Sequence, residues 1–304
     1  MPSPPRPRPL LLIRPCHFCV NEQALPTNRF MSVSQQKESL QAKALEEHRG
    51  LVETLERNHF DVMVYENCLV ECPDAVFCNN WFSVHHPEES GKTDSFGIMY
   101  PMALPNRRME LREDILYDIQ EYYGDSFMFY DLRDSYEWAF LEGTGSVVYD
   151  RYSQTMYVSL SPRSYYWKLM ELQKALDYNL VVFQTNYKQS PVYHTNVLLA
   201  IGKEWAVLCT SVIVSESEQK KVVSSLQKNG KKVLEISEYQ MGCFCGNILE
   251  ITNREGKVYT VMSQKAHDAF TGEQREALGN LLVVPLDTIE RYGGGGVRCC
   301  IAEV

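Results

Sequence analysis

The stretch VLLAIGKEWAVLCTSVIVSESEQKKVVSSLQKNGKKVLEI, residues Val197 to Ile236, indicates the fold class of this chain. Two apolar runs, Val197 to Ile201 and Trp205 to Cys209, predict strands. The polar stretch Glu216 to Asn229 carries apolar residues at helical spacing, and Val233 to Ile236 predicts a third strand. The unit is therefore strand, strand, helix, strand, and such alternation is typical of an α/β fold.

A similar alternation of predicted strands and helices recurs on both sides of this unit. Further predicted strands lie at Leu10–Ile13, Val62–Tyr65, Phe127–Tyr130, Ser146–Tyr149, Met156–Leu160, Leu180–Gln184, Ile248–Thr252, Val258–Met262 and Leu281–Val284. Further predicted helices lie at Ser39–Arg57, Tyr165–Leu176 and Gly272–Asn280. The last helix follows a capping-box pair, Thr271 and Gln274. Periodicity alone indicates repeated mixed elements and does not say how they close.

Composition limits the possible functions. With 304 residues and 44% hydrophobic content, the chain can bury a large core as one closed repeat architecture or as two domains. A net charge of -9 argues against nucleic-acid binding. The start, MPSPPRPRPLLLIRP, has too short an apolar run for a signal peptide, and residues 1–9 predict a Pro-rich disordered tail. No stretch approaches membrane-spanning length.

The ten cysteines allow two interpretations. Three close pairs have spacings that suit a zinc site: Cys16 and Cys19, Cys68 and Cys72, and Cys243 and Cys245. The pairs are far apart in sequence, however, and no histidines cluster beside them. Without a secretory leader, reduced thiols in a cytoplasmic protein are the default. We therefore expect a cytoplasmic protein without a metal or cofactor.

The run GGGGVRCC, Gly293 to Cys300, is the first candidate for chemistry. Glycines let the backbone approach a ligand closely, and the cation Arg298 is expected to lower the pKa of the adjacent thiol of Cys299. The run is also typical of a turn leading into a core strand with two buried thiols. In such an extended strand only one of Cys299 and Cys300 would face a site.

Three other polar residues lie beside turns at apolar strands. His194 opens HTNVLLAIG, Glu142 lies in FLEGTGSVVYDR, and Asp74 lies in CPDAVFCNNWFS. A nucleophilic cysteine needs a base and substrate-holding groups, which are often distant in sequence. Each residue taken singly is equally compatible with a structural role.

Seven ordered segments together resemble the guanidino-group modifying enzymes, or penteins. They are PDAVFCNNWFSVH, YPMALPNRRMELR, FLEGTGSVVYDR, LSPRS, HTNVLLAIG, GNILEI and GGGGVRCCIAEV. The resemblance runs from Leu11 to Val304 and is greatest to the citrulline utilization hydrolases of the arginine deiminase-related branch. It implies an α/β propeller of five ββαβ units around a pseudo-fivefold axis, with residues 10–304 as a single catalytic domain.

The resemblance also implies roles for individual residues. Cys299 matches the nucleophile, His194 the general acid/base and Glu142 the catalytic glutamate, while Asp74 matches the aspartate that holds the substrate. Arg107 and Arg163 fall where relatives hold an α-carboxylate, and Arg298 is included with the substrate-binding residues. Asn247 recurs near the site in the family, although a turn-capping role fits it equally well.

Two amides depart from the deiminase pattern. Asn80 and Asn196 stand where arginine deiminases carry acids that surround a cationic guanidinium. An amide offers a donor and an acceptor, which suits a neutral ureido group. We therefore expect covalent hydrolysis of citrulline to ornithine, carbon dioxide and ammonia.

Other functions remain open at this level. The same nucleophile would serve an arginine deiminase, an arginine dihydrolase or a dimethylarginine hydrolase. A pentein that has lost catalysis and acts as a binding protein is an alternative of another class. The expected partner is a small amino-acid substrate, with neither nucleic acid nor membrane, and a homo-oligomer is compatible. The pair His85 and His86 predicts a solvated turn.

Overall fold

The protein is described here from a computed structural model that covers residues 7–33, 37–133 and 138–304. These residues form five separate three-stranded sheets. In chain order the strands are β1 Leu10–Arg14, β2 Val62–Glu66, β3 Phe82–His85, β4 Phe96–Met99, β5 Met128–Asp131, β6 Val148–Asp150, β7 Thr155–Leu160, β8 Asn179–Gln184, β9 Leu199–Ile201, β10 Trp205–Leu208, β11 Lys232–Glu235, β12 Leu249–Thr252, β13 Val258–Ser263, β14 Leu281–Val284 and β15 Ala302–Glu303.

Helices connect and flank these strands. They are α1 Lys37–Arg57, α2 Pro87–Ser90, α3 Pro105–Arg108, α4 Glu113–Tyr123, α5 Gly143–Ser146, α6 Tyr166–Leu176, α7 Glu216–Lys228, α8 Glu238–Gly242, α9 Gln264–Ala269 and α10 Gly272–Ala277. Helix α7 shows why they form where they do. Ser215 accepts a hydrogen bond from the backbone N–H of Glu218, and Val222 and Leu226 are buried.

All five sheets share one topology. The first strand pairs antiparallel with the second, and the second strand pairs parallel with the third. In the sheet of β9, β10 and β11, for example, Ala206 of β10 pairs with Ile201 of β9. The sheet of β15, β1 and β2 follows the same pattern, but its first strand comes from the end of the chain. The first strands contact one another between sheets: β15 with β3, β6 with β9, and β9 with β12. This is the propeller arrangement that the sequence resemblance implied.

The sequence predicted most of these elements, with informative exceptions. Strand β4 and helix α4 were missed. The predicted strand Ser146–Tyr149 begins with the helical turn α5, and the predicted helix Gly272–Asn280 ends at Ala277. The capping box of Thr271 and Gln274 is confirmed.

The prediction of a solvated His85–His86 turn is wrong. His85 is fully buried and His86 is 8% exposed. His85 ends β3, and its Nε2 lies 2.8 Å from Ser83 Oγ. Burial lowers the pKa of His86 to about 3, so a neutral ring packs there without a charge partner.

The predicted tail, residues 1–9, lies partly outside the described residues. Arg8 and Pro9 are described and packed: Arg8 forms an ion pair with Glu89, and the carbonyl of Pro9 accepts a hydrogen bond from Val304 N. In the described ranges no helix is long and apolar enough to cross a membrane. Nor do the described residues contain a cluster of three or more His, Cys, Asp or Glu suited to a metal ion.

Candidate active site

The candidate residues lie directly before the first strands of the sheets. Asn80 precedes β3, Glu142 precedes α5 and β6, Asn196 precedes β9, Asn247 precedes β12 and Cys299 precedes β15. Because the first strands are neighbours around the axis, these five positions converge at one end of it. The fold thus collects residues that are more than 200 positions apart in sequence.

Cys299 lies in a 3₁₀ turn, Val297–Cys300, and is 2% exposed. Its Sγ is 3.3 Å from Asn247 Nδ2 and 3.5 Å from Asn196 Nδ2. Burial raises the pKa of the thiol, and the two amide hydrogen bonds only partly oppose this. The resting side chain is therefore a thiol that needs a base.

The expectation of an extended strand at the cysteine pair is wrong. In the 3₁₀ turn both cysteines are buried, and they diverge because successive side chains point around the turn. Cys300 Sγ points to the carbonyl of Gly296 at 3.5 Å, away from the amides that contact Cys299.

The glycines of this run are required because neighbouring atoms lie too close to leave space for side chains. Gly294 has φ 72°, in the left-handed region that favours glycine. A Cβ on Gly296 would lie 2.9 Å from Asn247 Oδ1, and one on Gly295 would lie 3.2 Å from Cys299 Cβ. Side chains here would displace the thiol or its amide donor.

Arg298 does not lie where the sequence placed it. Its Nη1 donates to the carbonyl of Ile301 at 2.8 Å, and its Nη2 lies 3.8 Å from Glu303. The side chain therefore turns into a separate cavity, because its neighbour Cys299 takes the inward direction of the turn. Arg298 does lower the pKa of Cys299 electrostatically, but burial outweighs this effect and the net shift is upward.

His194 and Glu142 form a buried pair. His194 Nε2 is 2.7 Å from Glu142 Oε2, and the other carboxylate oxygen accepts from Ala103 N at 3.0 Å. Burial would raise the pKa of Glu142, but Arg163 and His194 lower it below its usual range. Burial lowers the pKa of His194 to about 4 despite Glu142. A neutral histidine facing a carboxylate carries its proton on Nε2, which leaves Nδ1 as a free base.

Asp74 offers an unused acceptor. It is 3% exposed, and its Oδ2 accepts from Asn21 Nδ2 at 2.7 Å. Its Oδ1 is buried without a hydrogen bond to any described residue. Burial raises its pKa, and Arg107 and Asn21 lower it in part.

Arg107 is fully engaged within the protein. Its Nε and Nη2 donate to the two carboxylate oxygens of Glu110 at 2.8 and 2.9 Å, and Nη2 also donates to the carbonyl of Phe77 at 3.1 Å. Nη1 donates to Asn80 Oδ1 at 3.1 Å and lies 3.8 Å from Glu142. The predicted role as a carboxylate clamp is therefore not supported by free donors.

Glu110 was missed by sequence reasoning. Its only sequence signal is its position three residues after Arg107, which places the two side chains on one turn. Burial raises the pKa of Glu110 to about 7, against the opposing effect of Arg107.

Arg163, by contrast, keeps a free donor. Its Nη1 lies 3.3 Å from Glu142 Oε2 and its Nη2 donates to Thr27 Oγ1 at 3.0 Å. Its Nε is buried with no hydrogen-bond partner among the described residues, and the guanidinium stacks 4.8 Å from the centre of the Tyr193 ring. Arg163 is the better placed of the two predicted clamps.

A segment without helix or strand, residues 21–32, covers the site, and we call it the cover segment. Asn21 contacts Asp74 and Thr27 contacts Arg163. Its Asn28 donates to the carbonyl of Gly294 at 3.3 Å, and its Phe30 stacks on Tyr187 at 5.3 Å. Together these contacts account for the near-complete burial of the candidate residues.

This fold and the convergence of residues on one cysteine define a pentein, a hydrolase of carbon–nitrogen bonds in guanidino-type groups. The chain belongs to the eukaryotic N,N dimethylarginine dimethylhydrolase family, whose sequence model matches residues 14–304. No curated protein sequence is similar enough to the chain to count as a relative.

Solved structures share the fold at low sequence identity. The N-terminal domain of ArgZ, covalently bound to a reaction intermediate, has a TM-score of 0.76 at 17% identity over 98% of this chain and 97% of that one. ArgZ is an arginine dihydrolase from the ornithine-ammonia cycle in Cyanobacteria. AgrE with ornithine and NAD+ gives 0.76 at 18%, over 98% of this chain and 39% of AgrE. A dimethylarginine dimethylaminohydrolase adduct with 4-chloro-2-hydroxymethylpyridine gives 0.65 at 16%, over 98% and 99%. The chain thus spans about two fifths of the full-length ArgZ and AgrE chains.

Proposed function

We propose that the protein hydrolyses the ureido group of a free α-amino acid, with citrulline as the preferred substrate and ornithine, carbon dioxide and ammonia as products. The observation that carries the substrate choice is the orientation of Asn80. Its Oδ1 accepts from Arg107 and its Nδ2 donates to Asn79 Oδ1 at 2.9 Å, so the second hydrogen of Nδ2 is the one left to meet a ligand. A ureido oxygen accepts such a hydrogen bond, whereas a guanidinium has donors only.

The charge balance of the site supports a neutral group. Asp74 and Glu142 face the two cations Arg107 and Arg163, and Glu110 adds a bidentate ion pair to Arg107. Asn196 and Asn247 supply uncharged donors to the thiol. Because three carboxylates face two guanidiniums, a cationic guanidinium would meet at most one uncompensated negative charge.

Cys299 acts as the nucleophile and His194 as the base in this proposal. The two side chains make no hydrogen bond with each other in the described structure, and the proposal places the ureido carbon between them. Nδ1 of His194 takes the thiol proton, and Glu142 holds the ring. Asp74 Oδ1 accepts from the terminal NH₂ of citrulline, and Arg163 Nε binds its α-carboxylate.

The first half of the reaction forms a carbon–sulfur bond. The thiolate attacks the ureido carbon, the bond to the terminal nitrogen breaks, and that nitrogen leaves as ammonia with the proton from His194. The product is a thiocarbamate that joins Cys299 to the δ-nitrogen of the substrate.

The second half consumes one water molecule. His194 takes a proton from the water, which attacks the same carbon, and the thiol is restored. The released carbamate of ornithine loses carbon dioxide and gives ornithine. The sum is citrulline and water to ornithine, carbon dioxide and ammonia.

Hydrolysis of arginine or dimethylarginine is the second candidate, favoured by membership of the dimethylarginine dimethylhydrolase family. Asp74 and Glu142 remain as carboxylates near the reacting group. An arginine deiminase would stop at citrulline, and an arginine dihydrolase, as ArgZ is described, would continue to ornithine. A binding protein without catalysis is disfavoured by the coexistence of the thiol, the base and its carboxylate.

The proposal includes a cytoplasmic location. The described cysteines form no disulfide, and Cys68 is exposed, as expected for reduced thiols. A free amino acid as substrate and the absence of any required cofactor also belong to this proposal.

The decisive experiment compares kcat/KM for citrulline, arginine and dimethylarginine, with ammonia and ornithine as readouts. We expect citrulline to be used most efficiently. In Asn80→Asp the ratio of arginine to citrulline efficiency should rise roughly fivefold, because a charge-assisted hydrogen bond is about 1 kcal/mol stronger than a neutral one. Asn280→Asp, far from the site, is the control. Higher efficiency with arginine in the unmodified enzyme would contradict the citrulline assignment and leave the cysteine mechanism intact.

A further inference from the structure

A second cavity lies behind the candidate active site. It has a volume of about 430 Å³, and neither Asp74, His194 nor Arg163 lines it. Its apolar wall comes from β6, β9 and β12, and it is bordered by Tyr152, which is 57% exposed. Its size falls within the range of roughly 300–1,000 Å³ that is usual for small-molecule sites.

Two charged side chains on the cavity wall have unused bonding capacity. Arg298 donates only through Nη1, to the carbonyl of Ile301, and the carboxylate of Glu303 makes no hydrogen bond to the described residues. Glu303 Oε2 lies 3.8 Å from Arg298 and 3.8 Å from Arg151, too far for hydrogen bonds. The side chains of Arg298 and Glu303 are 12% and 15% exposed and line the cavity, so a cation and an anion are both available to a ligand here.

Two other cations already pair with acids that line the cavity. Arg151 is held by Glu89 at 2.5 Å, and Lys231 by Asp150 at 3.0 Å. Lys231 also donates to two backbone carbonyls at 3.0 Å, so it has no donor to spare. Arg298 and Glu303 therefore keep bonding capacity that Arg151 and Lys231 lack.

The opposite wall is apolar. It includes Leu199, Ile201, Ile248 and Ile251. A ligand that satisfies both walls carries a carboxylate for Arg298, an ammonium for Glu303 and an apolar chain for the strands.

We propose that this cavity is a second binding site, which takes a free α-amino acid with an aliphatic side chain. This binding does not depend on the substrate of Cys299. It is nevertheless linked to the thiol, because Arg298 adjoins Cys299 and Asn196 both lines the cavity and contacts Cys299 Sγ at 3.5 Å. Occupancy of the cavity therefore changes the affinity of the Cys299 site for its substrate, and by linkage the substrate changes amino-acid affinity by the same factor.

The test is calorimetric titration of the whole protein with L-methionine, which has neither a ureido nor a guanidino group. We expect one molecule bound per chain and affinity lowered roughly tenfold to a hundredfold by Glu303→Gln, since a charge-assisted contact is lost. The control Glu66→Gln removes an exposed acid that pairs with Arg14 and should leave the affinity unchanged. Arg163→Met should also leave it unchanged, because Arg163 belongs to the other site.

A crystal soaked with L-selenomethionine gives an independent readout, which stays usable if Glu303→Gln folds poorly. The selenium peak is expected against the apolar strands of the cavity. Lack of binding to the wild type, or binding that is lost in Arg163→Met and retained in Glu303→Gln, overturns the proposal. A selenium peak beside Cys299 alone does so too. None of these results bears on citrulline hydrolysis, which is measured separately.

Discussion

At the scale of single residues, the two adjacent cysteines have opposite surroundings. Cys299 contacts two amides, whereas Cys300 is wholly buried and burial raises its pKa far above the ordinary value. We expect Cys299→Ser to lower kcat by about three orders of magnitude or more, as is usual when a nucleophile is removed. Cys300→Ser should keep activity within a few-fold and cost about 1–3 kcal/mol of stability, because a hydroxyl is buried there. Turnover and thermal unfolding of both variants check this, and activity that survives only in Cys299→Ser would reverse the assignment.

Glu110 gives the site a pH dependence that the sequence did not suggest. With a pKa of about 7, Glu110 is protonated as pH falls through neutrality and holds Arg107 less strongly. We expect citrulline kcat/KM to decline below pH 7 in the wild type. In Glu110→Gln, kcat/KM should be roughly tenfold lower and lack this limb, because glutamine does not titrate.

The stability effect of the same group has the opposite sign. The pKa of Glu110 in the folded protein is above its ordinary value of 4.5, so the folded state binds more protons between about pH 4.5 and 7. Stability from this group is therefore fully present below that range and is lost as pH rises through it. Chemical denaturation of wild type and Glu110→Gln at pH 5 and pH 8 measures this. For activity, a decline of citrulline kcat/KM below pH 7 that persists unchanged in Glu110→Gln would show that Glu110 is not its cause.

At the scale of elements, the short helix α5 holds the base close to Asn80. A Cβ on Gly145 would lie 2.7 Å from both His194 Nδ1 and Asn80 Nδ2. We expect Gly145→Ala to lower kcat/KM by about a hundredfold, since small displacements of catalytic groups can have effects of this size. Gly272→Ala is the matched control, because nothing lies within 4 Å of its Cβ position. Equal activity of the two variants would show that His194 tolerates displacement.

Elements with a strong apolar periodicity could be predicted from the sequence, whereas short strands and the contacts of single side chains could not. The alternation around β9 to β11 gave the correct unit because apolar spacing reports burial directly. Strand β4 was missed because FGIM follows the polar run EESGKTDS and is only four residues long. The buried His85 was missed because its ring is neutral and its Nε2 bonds to Ser83, a contact made within the strand and invisible to hydropathy.

Family motifs pointed to candidate residues that lie together in the fold, but they did not give donor directions. Arg107 and Arg298 both lie at motif positions. The donors of Arg107 are taken up by Glu110, however, and the side chain of Arg298 faces the separate cavity. These outcomes depend on which way a side chain leaves a short turn. Sequence spacing does not specify that direction.

At the scale of the whole molecule, the ring of five sheets brings the candidate side chains together. The mechanism proposed for them uses no metal. We expect prolonged treatment with a chelator to leave kcat/KM unchanged, because each step uses a thiol, an imidazole and carboxylates. Elemental analysis of the purified protein accompanies the assay. Stoichiometric zinc, with activity lost on its removal, would revive the cysteine-pair interpretation.

The cover segment has a consequence for inhibitors. Asn21 and Thr27 hold the same side chains, Asp74 and Arg163, that are assigned to the substrate. A ligand that binds the unbonded Oδ1 of Asp74 and Nε of Arg163 would have to pass this segment, and we expect it to be enclosed when Phe30 packs against Tyr187 again. Slow onset and long residence time are then intrinsic to tight inhibitors of this enzyme, so potency compared after brief incubation would understate the best of them.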